Sequence, residues 1–341
     1  MTKQTPEQIR DILAEVRFPG LDQDIVTLGY VEGIEPDGDR WRIALNITTD
    51  NQQAATAIAQ DVRGRLEAAG ITYELVRPTR EAKAPEIVDL LPHVAVKVAV
   101  ASGKGGVGKS TIAVNLALAL AETGARVGLL DADIYGPSLP TLLGWKGERP
   151  DYQGEKIAPI SAHGLATMSL GYLASAGTPV IWRGPMASRA LEQLMSDVDW
   201  SGIDALVLDL PPGTGDIQIS LAQKGGLSGA VIVTTPQDVA LVDAIKGVRM
   251  FQKVDVPVLG IVENMSFFEC PECHARAEIF PPGALRQEME ELGVPLVGRI
   301  PIDPAIASGG DAGTPIFLAA PESAAAEAFR SLAQTVRGSR G

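Results

Sequence analysis

The 341-residue sequence has little of what most metal sites, basic surfaces and membrane segments require. It contains two cysteines and three histidines, so a site with about four metal ligands is hard to assemble within one chain. The formal net charge is −13, which disfavours the basic surface that nucleic acids and anionic membranes bind. No apolar run reaches the roughly 18 residues of a membrane-spanning helix. We therefore expect neither a nucleic-acid nor a membrane partner.

The N-terminal segment, Met1 to Glu7, lacks the apolar stretch of a signal peptide, so we expect a cytoplasmic location. In that reducing compartment cysteines serve as metal ligands or redox groups more often than as structural disulfides. The two cysteines, Cys270 and Cys273, form one Cys-x-x-Cys, which fits either role.

What the sequence does contain is a phosphate-binding pattern. A β-branched segment at 94–100 predicts a buried strand, and 112–121 predicts a helix, as the pattern requires on its two sides. The nine residues between them are Gly103, Lys104, Gly105, Gly106, Val107, Gly108, Lys109, Ser110 and Thr111. Backbone N–H groups and the helix dipole would bind phosphate there. The alternative is a glycine-rich turn without a ligand.

Three side chains of this loop have predicted roles. Lys109 would reach the β- and γ-phosphates, Ser110 would ligate Mg²⁺, and Thr111 would touch the α-phosphate. Lys104 occupies a position that the general pattern leaves free. It is either a solvated loop lysine or a second cation directed at phosphate, within the subunit or across a dimer.

Strands and helices alternate from Val94 onward, which predicts parallel β-α-β units. Further strands are expected at 126–130, 204–209, 229–235, 257–262 and 295–300. Ligands of such sheets lie at the carboxyl ends of the strands. Polar residues cluster at those ends: Asp131, Asp133, Asp209, Gln237, Asn264 and Asp303. The fold class is therefore α/β, a P-loop NTPase with a mostly parallel sheet flanked by helices.

Two of these aspartates have specific predicted roles. Asp209 follows four apolar residues, as a Walker-B aspartate does, and would hold Mg²⁺ directly or through water. Asp133 would orient the attacking water. A helix cap is the alternative for both, and a turn role is also open to Asp133. The segment 211–216, Pro-Pro-Gly-Thr-Gly-Asp, resembles a loop that senses the γ-phosphate.

The chain is expected to contain a small α/β domain at residues 1–78, a linker at 79–93 and the P-loop ATPase domain at 94–341. The small domain should contain a helix after Thr5, strands at 24–34, 41–48 and 71–76, and a helix at 50–69. Its aspartates Asp22, Asp24 and Asp50 are interpreted as cap and turn residues.

The Cys-x-x-Cys by itself supplies two thiolates. Two subunits related by a two-fold axis would supply four, and sulfur-rich coordination suits Zn²⁺ or an iron–sulfur cluster. A redox dithiol is the competing interpretation.

Taken together, these residues resemble the Mrp/ApbC family of iron–sulfur cluster carrier ATPases, within the deviant-Walker group of P-loop proteins. The resemblance covers about Val94 to Val336. It is carried by the P-loop with Lys104, by Asp131-Ala132-Asp133-Ile134-Tyr135-Gly136-Pro137-Ser138, by Trp182-Arg183-Gly184-Pro185-Met186, by Asp209 to Asp216, and by Glu263-Asn264-Met265-Ser266 before the cysteines. More loosely, residues 1–78 resemble the small iron–sulfur-assembly domain of many bacterial members.

The resemblance implies a homodimer that binds ATP and Mg²⁺, hydrolyses ATP slowly and holds a labile [4Fe–4S] cluster between subunits for transfer to apo-proteins. It makes Cys270 and Cys273 the cluster ligands and directs Lys104 to the partner's nucleotide. It places Asn264 and the Pro301 region against adenine. With the motifs above, it gives the catalytic set as Lys104, Lys109, Asp133 and Asp209. The chain departs from the family at His274, where glycine is common, and at 280–283, which has one glycine.

Two other functions compete with the carrier. A partitioning or positioning ATPase of the same group would need a basic surface or a basic terminal helix, and the segment from Pro321 to Val336 is instead rich in alanine and glutamate. A zinc-bridged dimer that binds nucleotide as a structural ligand is the other alternative.

Overall fold

A computed structural model describes residues 4–19, 23–47, 52–76, 89–173, 184–270, 272–273, 275–280 and 291–338. The chain divides into two compact units, Met1–Glu86 and Ile87–Gly341, and each has its own apolar core. No helix in the described parts of the chain is long and apolar enough to cross a membrane.

The described residues of the first unit form two helices and a three-stranded sheet. The helices are α1 (Pro6–Leu13) and α2 (Gln52–Ala68), and the strands are β1 (Val31–Asp37), β2 (Arg40–Leu45) and β3 (Tyr73–Val76). β2 lies between the other two, antiparallel to β1 and parallel to β3. Thr5 and Gln8 form a reciprocal capping box, which confirms the predicted start of α1.

The strand predicted from Asp24 begins later than expected. The Asp24 carboxylate accepts hydrogen bonds from the N–H groups of Val26 (2.9 Å) and Thr27 (2.7 Å), so the chain turns there and β1 starts only at Val31. The prediction of a strand at 24–30 was wrong for this reason, whereas the turn role of Asp24 is confirmed. Asp22 and Asp50 lie outside the described residues.

The second unit is built on an eight-stranded sheet, in which the order is β15-β12-β11-β4-β10-β5-β9-β8. All neighbours are parallel except β8 and β9. In chain order these strands are β4 (Val96–Ala101), β5 (Val127–Asp131), β8 (Ile160–Ala162), β9 (Leu165–Ser169), β10 (Ala205–Asp209), β11 (Gly229–Thr234), β12 (Val258–Glu263) and β15 (Leu296–Arg299). In the part of this unit that the structure describes, two short hairpins lie outside the sheet: β6 (Tyr152–Gln153) with β7 (Lys156–Ile157), and β13 (Phe268–Glu269) with β14 (Arg276–Ala277).

Helices cover this sheet and supply the apolar layers against it. They are α3 (Lys109–Glu122), α4 (Leu139–Leu142), α5 (Leu170–Leu173), α6 (Gly184–Ser196), α7 (Asp216–Lys224), α8 (Asp238–Lys253), α9 (Pro304–Asp311), α10 (Ile316–Ala319) and α11 (Ala324–Gly338). Helix α3 is apolar around its circumference and is buried from Ile112 to Leu120, because α11 packs on it from outside. This packing holds the helix that follows the P-loop inside the protein.

The six predicted strands of the second unit are all present, and the mostly parallel α/β fold is confirmed. The sequence analysis missed the β8–β9 hairpin, which extends the sheet by two strands at the edge beyond β5. Residues 89–93, assigned above to the linker, pack within the second unit. Leu91 is buried there, and the Asp89 carboxylate pairs with the buried Lys97 ammonium at 2.5 Å.

Candidate functional site

The P-loop connects β4 to α3 with two glycines in left-handed conformations, Gly106 (φ 84°) and Gly108 (φ 85°). A Cβ atom at Gly108 would lie 2.2 Å from the side-chain nitrogen of Asn264, and one at Gly103 would lie 2.1 Å from the backbone oxygen of Asp243. Glycine is therefore required at both ends of the loop for steric reasons. The first turn of α3 directs its N–H groups into the loop, which is the arrangement that binds phosphate.

Lys109 lies inside this loop and is almost fully buried. Its ammonium nitrogen is 2.5 Å from Asp209 Oδ1, 3.7 Å from Asp133 Oδ2 and 3.2 Å from Ser110 Oγ. The structure thus brings Lys109, Ser110, Asp133 and Asp209 together, although they come from three stretches of the chain and Lys109 and Asp209 are 100 positions apart.

Strand register places the acidic residues in a row. Asp209 of β10 is opposite Asp131 of β5, and Asp131 is opposite Ser169 of β9, all at the carboxyl ends of their strands. The Asp131 carboxylate accepts hydrogen bonds from Asp133 N (3.0 Å), Leu139 N (3.3 Å) and Ser169 Oγ (3.0 Å). Asp131 therefore anchors the loop that carries Asp133 to the end of β5.

Burial is the largest influence on the pKa values of the two aspartates, Asp131 and Asp209. Desolvation, with a further contribution from the Asp209 carboxylate, raises the pKa of Asp131 to about 7. Burial also raises the pKa of Asp209 above its ordinary value, although the Lys109 ammonium opposes that shift. Several carboxylates sharing one lysine make the site short of positive charge, which a divalent cation would supply.

The residues present fit Mg²⁺. Asp209 Oδ2 is buried and has no hydrogen-bond partner within the parts of the chain that the structure describes. A buried carboxylate oxygen without a partner costs free energy unless it binds a cation or a water molecule that the cation holds. The Ser110 hydroxyl lies on the same side, 3.2 Å from the Lys109 nitrogen. Hard oxygen ligands of this kind are those that Mg²⁺ prefers.

The segment 211–216 is held beside Ser102, the residue before the P-loop, by a backbone hydrogen bond, and its own shape is supported by Gln218. Gly213, with φ 105°, donates from its N–H group to the carbonyl oxygen of Ser102 at 2.8 Å. The buried Gln218 donates to the carbonyl oxygens of Pro211 (3.1 Å) and Pro212 (2.8 Å). The segment therefore lies beside the P-loop, as the prediction of a γ-phosphate sensor requires.

The remaining predicted residues have different surroundings. Lys104 is exposed at the surface of the loop. Asn264 is buried and its amide donates to the carbonyl oxygen of Val107 at 2.8 Å, so its contact here is with the P-loop backbone. Pro301 is buried between Ile300 and Ile302, whose N–H groups bond to Glu263 and Phe267. Asp303 caps α9 through the N–H group of Ala305.

Cys270 and Cys273 lie at the tip of the β13–β14 hairpin, which we call the cysteine hairpin (residues 268–277). Cys273 is exposed and Cys270 is partly exposed. Backbone N–H groups of Cys273 and Glu272, and then the Cys273 thiol, donate to the Cys270 sulfur and lower the pKa of its thiol. Such a thiol is a better thiolate ligand. Pro271 and His274 lie outside the described residues, as do Trp182 and Arg183.

Within the described ranges no three His, Cys, Asp or Glu side chains are grouped closely enough to hold a metal ion by themselves. The cysteine hairpin therefore offers two sulfur ligands from one chain. Sequence reasoning also missed Ser169, Gln218 and Arg299, whose contacts support the site. Nothing in their local sequence marks them, because each acts through residues distant along the chain.

The eight-stranded sheet, the P-loop and the Lys109–Asp209 pair define a P-loop NTPase. The family model described as NUBPL iron-transfer P-loop NTPase matches residues 93–337, and an iron–sulfur cluster assembly protein model matches residues 6–70. The chain belongs to this family of iron-transfer P-loop NTPases, which confirms the family resemblance seen in the sequence.

Individual relatives agree with that assignment. An iron–sulfur cluster carrier protein of Haemophilus influenzae is 42% identical over 98% of this chain and 92% of its own length. One of Deinococcus radiodurans is 46% identical over 96% and 93%. Among solved structures, a nucleotide-binding protein of Archaeoglobus fulgidus in complex with ADP superimposes with a TM-score of 0.60. It is 34% identical, and the match covers 71% of this chain and 96% of that one.

Proposed function

We propose that this protein is an ATP-hydrolysing carrier that holds a [4Fe–4S] cluster between two copies of the chain and transfers it to apo-proteins. The observation that carries the proposal is the pairing, in one chain, of a P-loop site with an exposed hairpin that supplies only two thiols. The iron–sulfur cluster carrier proteins of Haemophilus influenzae and Deinococcus radiodurans, similar over nearly the whole chain, support it.

The nucleotide part of the proposal assigns roles to the P-loop residues. Residues Gly103 to Thr111 would bind the phosphates of ATP, with Lys109 leaving Asp209 to contact the β- and γ-phosphates. Ser110 and Asp209 would hold Mg²⁺, which supplies the positive charge that phosphoryl transfer requires. Asp133, 3.7 Å from the Lys109 nitrogen, would orient the attacking water. Asn264 and the Pro301 region would lie against adenine.

Hydrolysis in this arrangement is expected to be slow. Phosphoryl transfer depends on positioning and on neutralising charge, and the cations available decide its rate. Lys104 is exposed and takes part in none of the ion pairs between described residues, so its side chain would be able to reach the nucleotide of a second subunit. Turnover would then require the dimer.

The cluster part of the proposal also requires two chains. A [4Fe–4S] cluster takes four thiolates, and Cys270 with Cys273 from each of two subunits would provide them across a two-fold axis. The N–H groups that donate to the Cys270 sulfur would stabilise its thiolate in that role. Exposure of the hairpin would leave the cluster accessible to an acceptor protein, which suits a carrier.

Anaerobic reconstitution tests the proposal. The purified protein is incubated with iron and sulfide, its iron, sulfide and zinc are measured, and its mass in solution is determined. We expect about four irons and four sulfides per dimer, broad visible absorbance, and transfer that activates an apo-protein requiring a [4Fe–4S] cluster. If zinc alone binds, at one per dimer, and no iron is retained, the carrier function is wrong and the zinc-bridged dimer replaces it.

A further inference from the structure

The segment Glu263 to Ser266 begins at the last residue of β12 and lies between the P-loop and the cysteine hairpin. Three of its four side chains are polar and buried: Glu263 is 3% exposed, Asn264 6% and Ser266 0%. The fourth residue, Met265, has a left-handed backbone (φ 54°), which a non-glycine residue adopts at a cost in free energy. Buried polar groups and local strain of this kind persist only where surrounding contacts maintain them.

Asn264 connects the segment to the P-loop. Its side-chain amide donates to Val107 O at 2.8 Å, and its backbone N–H group bonds to Thr234 O at 2.8 Å. The same amide nitrogen occupies the position that a Cβ at Gly108 would need. A shift of the loop around Gly108 would therefore displace Asn264.

Glu263 and Ser266 connect the segment to Arg299. The Arg299 Nε atom donates to Ser266 Oγ (2.7 Å) and to Glu263 Oε1 (3.2 Å). The Ser266 hydroxyl also donates to Glu263 Oε1. Glu263 and Ser266 are buried, so water does not readily replace a hydrogen bond that they lose, whereas the Arg299 side chain is 36% exposed.

Arg299 in turn contacts residues around the cysteine hairpin. Its Nη2 atom donates to both carboxylate oxygens of Glu278, at 2.8 and 2.9 Å, just beyond β14. The guanidinium also lies 5.5 Å from the centre of the Phe267 ring, which Arg276 of the hairpin approaches to 4.7 Å. Arg276 pairs with Glu269, the residue before Cys270, at 2.9 Å.

We propose that Arg299 is a positioning residue that couples the cysteine hairpin to the P-loop, through Glu263, Ser266 and Asn264 on one side and Glu278 and Phe267 on the other. The proposal rests on the proposed function, in which the two sites bind metal and nucleotide. Arginine suits this role because its planar guanidinium holds several acceptors in fixed directions. Binding at either site then changes the affinity of the other by the same factor.

The test measures that factor with simple probes. Co²⁺ binding to the thiols is followed by its thiolate charge-transfer absorbance, and Mg–ADP binding by a fluorescent ADP analogue, each with and without the other ligand. For the unaltered protein we expect the affinity of each ligand to change about fivefold or more when the other is bound. In Arg299→Gln the factor should fall below about twofold, while each ligand binds alone with affinity changed by less than about threefold.

Arg330→Gln is the matched control. Arg330 also forms a two-pronged pair with a carboxylate, Glu122, and lies 5.2 Å from the centre of a phenylalanine ring, Phe317. It lies on α11, and none of its contacts is with Glu263 to Phe267, Glu278 or Arg299, so its loss should leave the coupling factor unchanged. Equal losses in the two variants would indicate a general effect of removing an arginine and would overturn the proposal.

Glu278→Gln provides the second variant in case Arg299→Gln does not fold. The Glu278 side chain is half exposed, so the substitution leaves the core intact, and we expect it to lower the coupling factor partially. A coupling factor near one in the unaltered protein, or an undiminished factor in Glu278→Gln, would refute the role of Arg299. Either result leaves the carrier function standing, because that function is judged by iron and sulfide retention and by transfer.

Discussion

The P-loop region and the cysteine hairpin differ in how much of each site one chain provides. The P-loop is surrounded by buried strands, and its lysine already pairs with a carboxylate 100 positions away in sequence. The hairpin projects two thiols from a pair of two-residue strands, with one of the cysteines exposed. The buried site is built by the fold of one chain, whereas in the proposed function the exposed hairpin is half of a metal site that a second chain completes.

The largest effect should follow from removing a thiol. In Cys270→Ser or Cys273→Ser, iron and sulfide retained after reconstitution should fall to background, because the dimer loses two of its four proposed ligands. Without metal, each serine variant should bind ADP with an affinity within about twofold of the unaltered protein's, since the hairpin is exposed. Glu272 lies in the same turn, and the control variant Glu272→Gln keeps both thiols, so it should retain iron. Full retention of iron by either serine variant would show that the ligands lie elsewhere.

The P-loop lysine should show the next largest effect. Lys109→Ala should lower ATP turnover by about 10²–10³-fold, because it removes the cation proposed to act on the phosphates. It also leaves the buried Asp209 carboxylate without its partner, which should cost about 3–5 kcal/mol in the free energy of unfolding measured in urea.

A double variant separates these two effects of Lys109. Lys109→Met combined with Asp209→Asn removes both charges, so it should recover most of the lost stability without recovering turnover. Turnover of Lys109→Ala equal to that of the unaltered protein would refute the catalytic role, whatever happens to stability.

Lys104 tests whether the nucleotide site also needs a second chain. Lys104→Ala should lower turnover by at least about 100-fold, as removal of a cation supplied in trans does. The side chain is exposed, so the free energy of unfolding should change by less than about 0.5 kcal/mol. Lys253→Ala, another exposed lysine, should leave turnover unchanged.

Mixing subunits shows which chain Lys104 serves. When Lys104→Ala and Lys109→Ala proteins are mixed, a mixed dimer contains one complete site only if Lys104 acts across the interface. We expect turnover well above that of either variant alone. If the mixture shows no gain, Lys104 acts within its own subunit or not at all.

The last effect concerns the pH dependence of stability and involves neither metal retention nor turnover. The pKa of Asp131 rises from its ordinary value of 3.8 to about 7 in the folded protein, so the folded state holds a proton that the unfolded state has released. Unfolding free energy without nucleotide or Mg²⁺ should therefore fall as pH rises from about 4 to about 7, by an amount on the order of a few kcal/mol. In Asp131→Asn the unfolding free energy should change much less with pH over this range. An unchanged slope would mean that Asp131 does not titrate there.

The features that could be predicted from the sequence are those that depend on residues close together in the chain. The P-loop, the strand before it, the helix after it and the position of Asp209 were predictable because they depend on contiguous residues with a defined period and spacing. The six strands first identified in the second unit were predictable for the same reason. Asp24 shows the limit of that reasoning, since a local side-chain bond to Thr27 turned a strand-like stretch into a turn.

Several features of the site depended on contacts that no local pattern encodes. Ser169 reaches Asp131 because the unpredicted β9 pairs with β5, and that pairing joins residues 38 positions apart. Arg299 reaches Glu263 and Ser266 across more than 30 residues of sequence. The location of the Asn264 amide on the P-loop carbonyl likewise depends on how β12 ends beside β11 and β4.

By itself the sequence determined the α/β class, the P-loop, the aspartate at the end of β10 and the family, because each depends on a short continuous stretch of residues whose types and spacing can be recognised. Only the tertiary structure decided that Lys109 is buried on Asp209, that burial raises the pKa of Asp131, and that Arg299 lies between the P-loop and the cysteine hairpin. These properties arise from desolvation and from contacts between distant residues. Both exist only after the strands have been placed side by side.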